Sequence, residues 1–312
     1  MDARASNLLA GTACYLLASL LWGLNIPLTA SLLTVFDPLW LSPYRHLIAS
    51  TVLGAWVLAT LGAGALRSPI PLARVALLSL AIAAFLLTFN LGLMLTHPVT
   101  AAAVIAGSPV YVAVVSRVMT GARLAPGFVG ATLLTIVGAG IAIAGRADAR
   151  GPSLSGGEPL LVASIGFWTV YSILSQRWFA PQVPQLRRTF LTSVCAIPWL
   201  LAIWALARGL GWVGAPYLAP EGRDLVYLLV TAVLCTALAV VAWNVGVARL
   251  GIAAGGLWQN AVPVFAVLIS LVVFGVVPTG AQVLGGAVVM AGVAWMQWHT
   301  VRASRGPAGA PA

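Results

Sequence analysis

The sequence predicts an all-α membrane protein, with ten transmembrane helices arranged as two inverted five-helix repeats. The first observation is composition: 61% of the 312 residues are hydrophobic and only 7% are charged, whereas soluble domains are about a quarter charged. A soluble fold would therefore expose apolar patches far larger than monomers tolerate. The second is the length of the apolar runs, about 20 residues, which suits membrane helices rather than the shorter, alternating strands of a barrel. The third is an internal repeat.

The spans follow from the apolar runs between breaks that are rich in Pro, Gly and charged residues. The first run is expected to remain as a helix, because it is too long for a signal peptide and no polar domain follows it. The predicted helices are 8–31, 38–61, 71–95, 98–119, 125–145, 157–179, 184–208, 223–248, 252–275 and 278–299.

The distribution of arginine predicts the orientation of the chain. With a cytoplasmic N-terminus, the cytoplasmic helix ends carry eleven Arg and one acid, and the opposite ends carry five Arg and five acids. Cytoplasmic loops carry the excess of positive charge, so both termini are predicted to be cytoplasmic in a multi-pass protein of the bacterial inner (plasma) membrane. The net charge of +10 comes from arginines scattered between apolar runs, which does not indicate nucleic-acid binding.

A shift of 154 residues aligns the third to fifth helices of the two halves without a gap. It matches Asn90 with Asn244, Gly92 with Gly246, Pro109 with Pro263, Ser116 with Ser270, Gly121 with Gly275 and Gly138 with Gly292. A shift of 146 places Trp22 on Trp168 and extends the match to the first helices. The repeats are predicted at 1–150 and 151–312. Five spans each would make them inverted, as in many secondary transporters.

Several short motifs recur in order along the two halves: Leu21-Trp22-Gly23 with Asn25, Asn90-Leu91-Gly92, Pro109-Val110-Tyr111, Gly121 and Gly138, then Trp168, Asn244-Val245-Gly246, Pro263-Val264-Phe265, Gly275 and Gly292. Their order resembles that of the drug/metabolite transporter superfamily, in its EamA-type ten-helix branch. Within that branch the many aromatics and few charges are most similar to the YddG-type exporters of aromatic and other amino acids. One departure is that the family often has Glu after the glycines at 121 and 275, where this chain has Ala122 and Val276.

Aromatic and amide side chains at membrane depth are the predicted substrate-cavity residues, because amides there need partners in another helix or in a cavity. They are Trp22, Asn25, Phe85, Phe89, Asn90, Tyr111, Trp168, Tyr171, Trp243, Asn244, Trp258, Gln259 and Asn260. For Asn90 and Asn244 the alternative is a pair of interhelical hydrogen bonds near the pseudo-two-fold axis. Gly107, Pro109 and Pro263 are the predicted hinge or gating residues, because a proline frees a backbone carbonyl about one turn earlier.

Ionisable residues are almost absent from the predicted spans. The two acids inside the predicted ranges, Glu158 and Asp224, are each the second residue of a range, so no Asp or Glu lies deep within a span. This disfavours a carboxylate proton relay and predicts facilitated efflux or coupling without a buried acid. His46 and His97 are candidate proton carriers, but an interfacial role at the outer helix ends is favoured for both. Arg45 could attract a carboxylate at the outer mouth, although anchoring at the membrane interface is favoured.

The leading functional hypothesis is a secondary transporter that exports amino acids, aromatic or apolar ones above all, or related small metabolites by alternating access. A nucleotide-sugar or phosphate-ester transporter would need several Lys or Arg inside the spans. A membrane-embedded transferase would need clustered His, Asp or Cys, and a scaffold or a channel is less favoured. No catalytic residues, metal or cofactor are expected, and Cys14, Cys195 and Cys235 are interpreted as buried small hydrophobes. The expected partners are a small-molecule substrate and the lipid bilayer, with no nucleic acid and the chain acting as a monomer.

Overall fold

The computed structural model describes residues 3–96, 98–121, 123–124, 127–144 and 156–305, and all regular secondary structure within them is helical. His97, Ala122 and the boundary between residues 150 and 151 lie outside the described residues. The elements are α1 (Ala3–Leu32), α2 (Pro38–Leu61), a 3-10 turn (Ala63–Leu66), α3 (Leu72–Leu95), α4 (Pro98–Ala106), α5 (Ser108–Thr120), α6 (Phe128–Ala144), α7 (Glu158–Trp178), α8 (Gln185–Gly209), α9 (Gly222–Val230), a π-helix (Thr231–Leu238), α10 (Ala239–Leu250), α11 (Ile252–Gln259), α12 (Val262–Phe274) and α13 (Gly280–Arg305).

Seven helical segments of the described chain are long and apolar enough to cross a bilayer. At most 44% of the residues in each apolar stretch are buried against the rest of the protein, so more than half of them keep some apolar surface exposed. Large aliphatic side chains such as Val118 and Val272 are more than 80% exposed. Water would not tolerate such a surface, whereas lipid does, and helices satisfy their own backbone hydrogen bonds there. The chain is therefore a multi-pass helical membrane protein.

Two of the predicted helices are interrupted at their centres. The helix predicted at 98–119 is divided at Gly107 into α4 and α5, and Pro109 lies in the first turn of α5. The helix predicted at 252–275 is divided after Gln259 into α11 and α12, and Pro263 lies in the first turn of α12. Proline lacks the N–H that would continue the preceding helix and suits the start of the next one. The helices that follow the two interruptions, α5 and α12, begin 154 residues apart.

The two interrupted helices contact each other at their breaks. Ala106 is the last residue of α4, so its carbonyl has no donor within that helix. The side-chain amide of Asn260 donates a hydrogen bond to this carbonyl over 3.0 Å. Because Asn260 follows Ala106 by 154 residues, the bond joins matched positions of the two halves. The π-helix was not predicted from the sequence, since an apolar run carries no signal that separates π from α geometry.

Helices α6 and α13 pack closely through small residues. An added Cβ on Gly138 would lie 2.6 Å from the carbonyl oxygen of Gly285, and one on Gly292 would lie 2.9 Å from that of Ala131. Adding 154 to 131 and to 138 gives 285 and 292, so the two contacts are equivalent under the shift that aligns the halves. Small residues let membrane helices approach in this way.

The first turns of α1 and the last turns of α13 lie at one end of the helix bundle. Thr12 on α1 donates a hydrogen bond to Gln297 on α13 over 3.0 Å, which holds these two segments together. We call this end of the bundle the terminal end and the other the opposite end. At the terminal end, Arg187 donates hydrogen bonds to the carbonyls of Ala65 and Arg67 over 2.9 and 2.8 Å, which ties α8 to the connection between α2 and α3.

Two neighbouring glycines of α13 provide a matched test of the close contact between α6 and α13. A Cβ on Gly285 would overlap the carbonyl oxygen of Gly138 and lie 2.5 Å from the nitrogen of Ala142, whereas one on Gly286 would meet Val264 at an ordinary 3.4 Å. We expect Gly285→Ala to destabilise the protein by about 1–3 kcal/mol because it overpacks a backbone contact. Gly286→Ala should change stability little. Thermal unfolding of both variants in detergent is the measurement, and equal midpoints would contradict the packing described.

Candidate functional site

Aromatic side chains from four helices meet at the centre of the bundle. Ring centroids of Trp22 (α1) lie 5.7 Å from Trp168 (α7) and 5.2 Å from Trp243 (α10), and Phe85 (α3) lies 5.2 Å from Trp168. The aromatic cluster, as we call it, consists of Tyr15, Trp22, Phe85, Phe89, Trp168, Tyr171 and Trp243. Six of its members are predicted cavity residues. Tyr15 was missed, although its position one helical turn before Ser19 and two before Trp22 could have indicated it.

The aromatic cluster is more deeply buried towards the terminal end than towards the opposite end. Tyr15, Tyr171 and Trp243, which lie nearest the terminal end, are at most 1% exposed. Trp22 and Phe89, which lie at the middle of the bundle and towards the opposite end, are half-buried. The rings nearest the terminal end are therefore the most deeply buried part of the aromatic cluster.

A hydrogen-bond network lies beneath the rings on the terminal side. The amide of Asn244 donates to the hydroxyls of Tyr171 and Thr189 over 3.1 and 2.9 Å, and the indole N–H of Trp243 donates to Ser172 over 3.1 Å. Asn244 is fully buried, so it does not line an open cavity in this conformation. Its partners lie on α7 and α8, so Asn244 makes interhelical hydrogen bonds, which was the alternative to a cavity position.

Arg188 completes the closure of the terminal end. Its side chain is 1% exposed, and it donates to the carbonyls of Val183 and Ala180 over 2.9 and 2.8 Å and to the side chain of Gln176 over 3.0 Å. These acceptors lie in the last turn of α7 and in the connection to α8. In the predicted topology Arg188 is one of the eleven cytoplasmic arginines, and nothing in the sequence distinguishes it from the adjacent Arg187, which donates to the carbonyls of Ala65 and Arg67.

Arg45 on α2 points into the bundle and does not anchor at an interface. Its Nη1 atom donates to Asn25 and Thr29 on α1 over 3.0 and 3.1 Å, and its Nε atom is buried without an acceptor. The neighbouring His46 is also buried, at 7% exposure, and its Nδ1 donates to the Ser42 carbonyl over 3.0 Å. The interfacial interpretation of both residues is therefore wrong, because a helix rotation that the sequence did not fix directs them inwards.

A small cavity lies between α2, α3 and α8 on the opposite side of the aromatic cluster. Its walls include Ser42, Asn90 and Leu200, and its volume for the centre of a water molecule is about 10 Å³. That is room for about one water. Asn90 is thus the one of the two matched asparagines that lines a cavity.

The other predicted site residues lie around this centre. Tyr111 and Gln259 are half-buried, and no ring of the aromatic cluster contacts Tyr111 among the described residues. Trp258 is buried and its indole N–H has no acceptor. The amide of Asn260 is occupied by the Ala106 carbonyl, so its assignment to the cavity is corrected to a bond across the helix breaks.

No group of three His, Cys, Asp or Glu side chains suitable for a metal occurs in the part of the chain that the structure describes. The centre of the bundle combines aromatic rings with amide and hydroxyl groups, and the guanidinium of Arg45 lies beside it.

Comparison with known proteins identifies the family. The model of the EamA-like transporter family matches residues 9–144 and, a second time, residues 155–298. The chain belongs to the EamA-like transporter family. It is also 26% identical over 188 residues to the aromatic amino acid exporter YddG of Ancylobacter novellus, a match that covers 60% of this chain and 62% of that relative. The chain thus matches less than two thirds of the relative's length.

A solved structure shares the fold. It is described only as the crystal structure of a protein, and it superposes with a TM-score of 0.79 at 24% identity over 96% of this chain and 99% of the other. The family and the named relative both point to a membrane transporter rather than an enzyme.

The two matched asparagines allow a direct test of the network on the terminal side. Asn244→Ala removes two hydrogen bonds between buried groups, which we expect to cost about 1–3 kcal/mol. Asn90→Ala, at the wall of the small cavity, should cost clearly less because its side chain is half-buried. Thermal unfolding in detergent measures both. Equal losses, or a larger loss for Asn90→Ala, would contradict the assignment.

Proposed function

We propose that this transporter exports aromatic or other apolar amino acids, or related small metabolites, across the inner membrane of a bacterium by alternating access. The observation that carries the proposal is the aromatic cluster, to which two helices of each half contribute at the centre of the bundle. Stacking between a substrate ring and such walls is worth about 1 kcal/mol for each ring pair. The name of the relative, an aromatic amino acid exporter, supports the same substrate class.

The architecture that we propose is ten membrane spans in two inverted repeats, residues 1–150 and 151–312. Three features support it: the family model matches the chain twice, the helix breaks at Gly107 and after Gln259 lie at matched positions, and the contacts of Gly138 and Gly292 are equivalent under the 154-residue shift. Two inverted repeats can exchange their conformations, which would open the same centre to either side. The excess of arginine makes the terminal end the cytoplasmic one.

In this proposal the conformation described is closed towards the cytoplasm, and the small cavity beside Asn90 lies on its outer side. Release of the closed end would separate Asn244 from Tyr171 and Thr189, and Arg188 from its carbonyl acceptors. The interruptions before Pro109 and Pro263 are the proposed hinges, because backbone that already lacks helical hydrogen bonds can bend at little cost. The half-buried wall of Phe89 and Asn90 would then close as the terminal end opens.

The proposal includes transport without a buried acid. The carboxylates nearest to the described spans are Glu158, the first residue of α7, and Asp224, in the first turn of α9. Neither lies near the middle of its helix, where a proton relay would act. Flux should therefore follow the substrate gradient.

Counterflow in proteoliposomes tests the function. We expect uptake of labelled L-phenylalanine into vesicles loaded with unlabelled phenylalanine, without a pH gradient. Trp168→Ala should lower this uptake about fivefold, because Trp168 contacts four other rings of the aromatic cluster and one lost stacking contact with the substrate is worth about 1 kcal/mol. Trp212→Ala is the control, since Trp212 is 73% exposed.

An absolute requirement for a pH gradient would contradict the mechanism. Full activity of Trp168→Ala would contradict the site, and no counterflow with any amino acid would contradict the substrate class.

A further inference from the structure

Two arginines, the half-buried Arg45 and the buried Arg188, occupy corresponding places on α2 and α8. The two helices cross at Ser50 and Ser193, whose hydroxyls are hydrogen-bonded over 3.2 Å. Arg45 and Arg188 each lie five residues before the crossing serine, so they point to different ends of the bundle. The hydrogen-bond acceptors of Arg188 can therefore be compared directly with those of Arg45.

The two guanidinium groups differ in how well their donors are satisfied. Arg188 uses Nε, Nη1 and Nη2, and three of its acceptors are backbone carbonyls. Arg45 uses Nη1 only, towards Asn25 and Thr29, and its buried Nε has no acceptor. Among the described residues no carboxylate forms an ion pair with it. Burying a charged donor without an acceptor is costly. An acceptor supplied by a ligand would therefore stabilise the side chain of Arg45.

We propose that Arg45, held by Asn25 and Thr29, binds the carboxylate of the substrate. A carboxylate is the acceptor that a guanidinium matches best, because its two oxygens accept from the planar fork of N–H groups. The inference rests on the proposed function, since it assigns one end of the substrate of that same site. A substrate would then need a negatively charged carboxylate as well as an aromatic ring, whereas the aromatic cluster by itself would select only for the ring.

The distance between Arg45 and the rings fits a short spacer. Asn25, which accepts from Arg45, follows Trp22 by three residues on α1, which is about one helical turn or 4.5 Å along the axis. Residues three apart share a helix face, so the carboxylate position and the aromatic cluster are next to each other. Phenylalanine and tryptophan place their carboxylate two carbons from the ring system. The ligand class is therefore an aryl carboxylate with a short spacer, which includes the aromatic α-amino acids.

A series of ligands tests the inference on the unmodified protein. Inhibition of phenylalanine counterflow is measured with 3-phenylpropionate, which keeps the carboxylate, and with phenethylamine and phenylalaninamide, which lack it. We expect 3-phenylpropionate to inhibit at concentrations at least tenfold lower than phenethylamine. Inhibition by phenethylamine at equal or lower concentration would overturn the inference while leaving amino-acid transport intact. If phenylalanine itself shows no counterflow, the proposed function fails first.

Variants of Arg45 connect the charge requirement to this residue. Arg45→Gln should weaken phenylalanine about 10- to 100-fold, the range for loss of a charged hydrogen bond, and leave phenylalaninamide unchanged. Arg45→Lys should recover part of the affinity for phenylalanine. Arg208→Gln is the control, because Arg208 is an exposed arginine at the same end of the bundle. An unchanged ratio of phenylalanine to phenylalaninamide affinity in folded Arg45→Gln would overturn the assignment. If Arg45→Gln does not fold, the ligand series decides.

Discussion

Lipid offers no hydrogen bonds, so every polar group that this chain carries at membrane depth must find its partner within the protein. The carbonyl of Ala106, freed where α4 ends, accepts from Asn260. The amide of Asn244 is occupied by two hydroxyls, and Arg188 uses the carbonyls between α7 and α8. Several buried polar atoms of the described residues have no partner, and two of them, Nε of Arg45 and the indole N–H of Trp168, lie in or beside the aromatic cluster. The same requirement that holds the helices together thus indicates where a ligand would be held.

The two halves have corresponding parts but different surroundings. Asn244 lies in a closed network and Asn90 beside a small cavity, and Arg188 is saturated with acceptors while Arg45 is not. A transport pathway that is open at one end and closed at the other requires the two halves to differ in this way. We therefore interpret the differences as those between the open and the closed end of a single conformation, which an exchange between the halves would reverse.

The positions of the helices could be predicted from the sequence, because apolar length and Pro or Gly breaks decide where a membrane helix begins and ends. The meeting of Trp22, Trp168 and Trp243 could be anticipated from their depth. The roles of Arg45, His46 and Asn260 could not. These helices are apolar on most sides, so the hydrophobic pattern does not fix their rotation, and the rotation decides whether a side chain points inwards. Partner choice, as for Asn244, depends on contacts between helices far apart in the chain.

The account requires the network around Asn244 at the terminal end to become exposed to water during transport. The alkylation rate of a cysteine at position 189 tests this most directly. Thr189 is 1% exposed beside Asn244, and Thr135, between α6 and α13, is a fully buried control. Each is changed to Cys in a chain whose Cys14, Cys195 and Cys235 are replaced by Ala, and a hydrophilic thiol reagent is added in nanodiscs. The account predicts that saturating phenylalanine speeds alkylation severalfold at position 189 and leaves position 135 unchanged. Equal rates at position 189 with and without phenylalanine would contradict it.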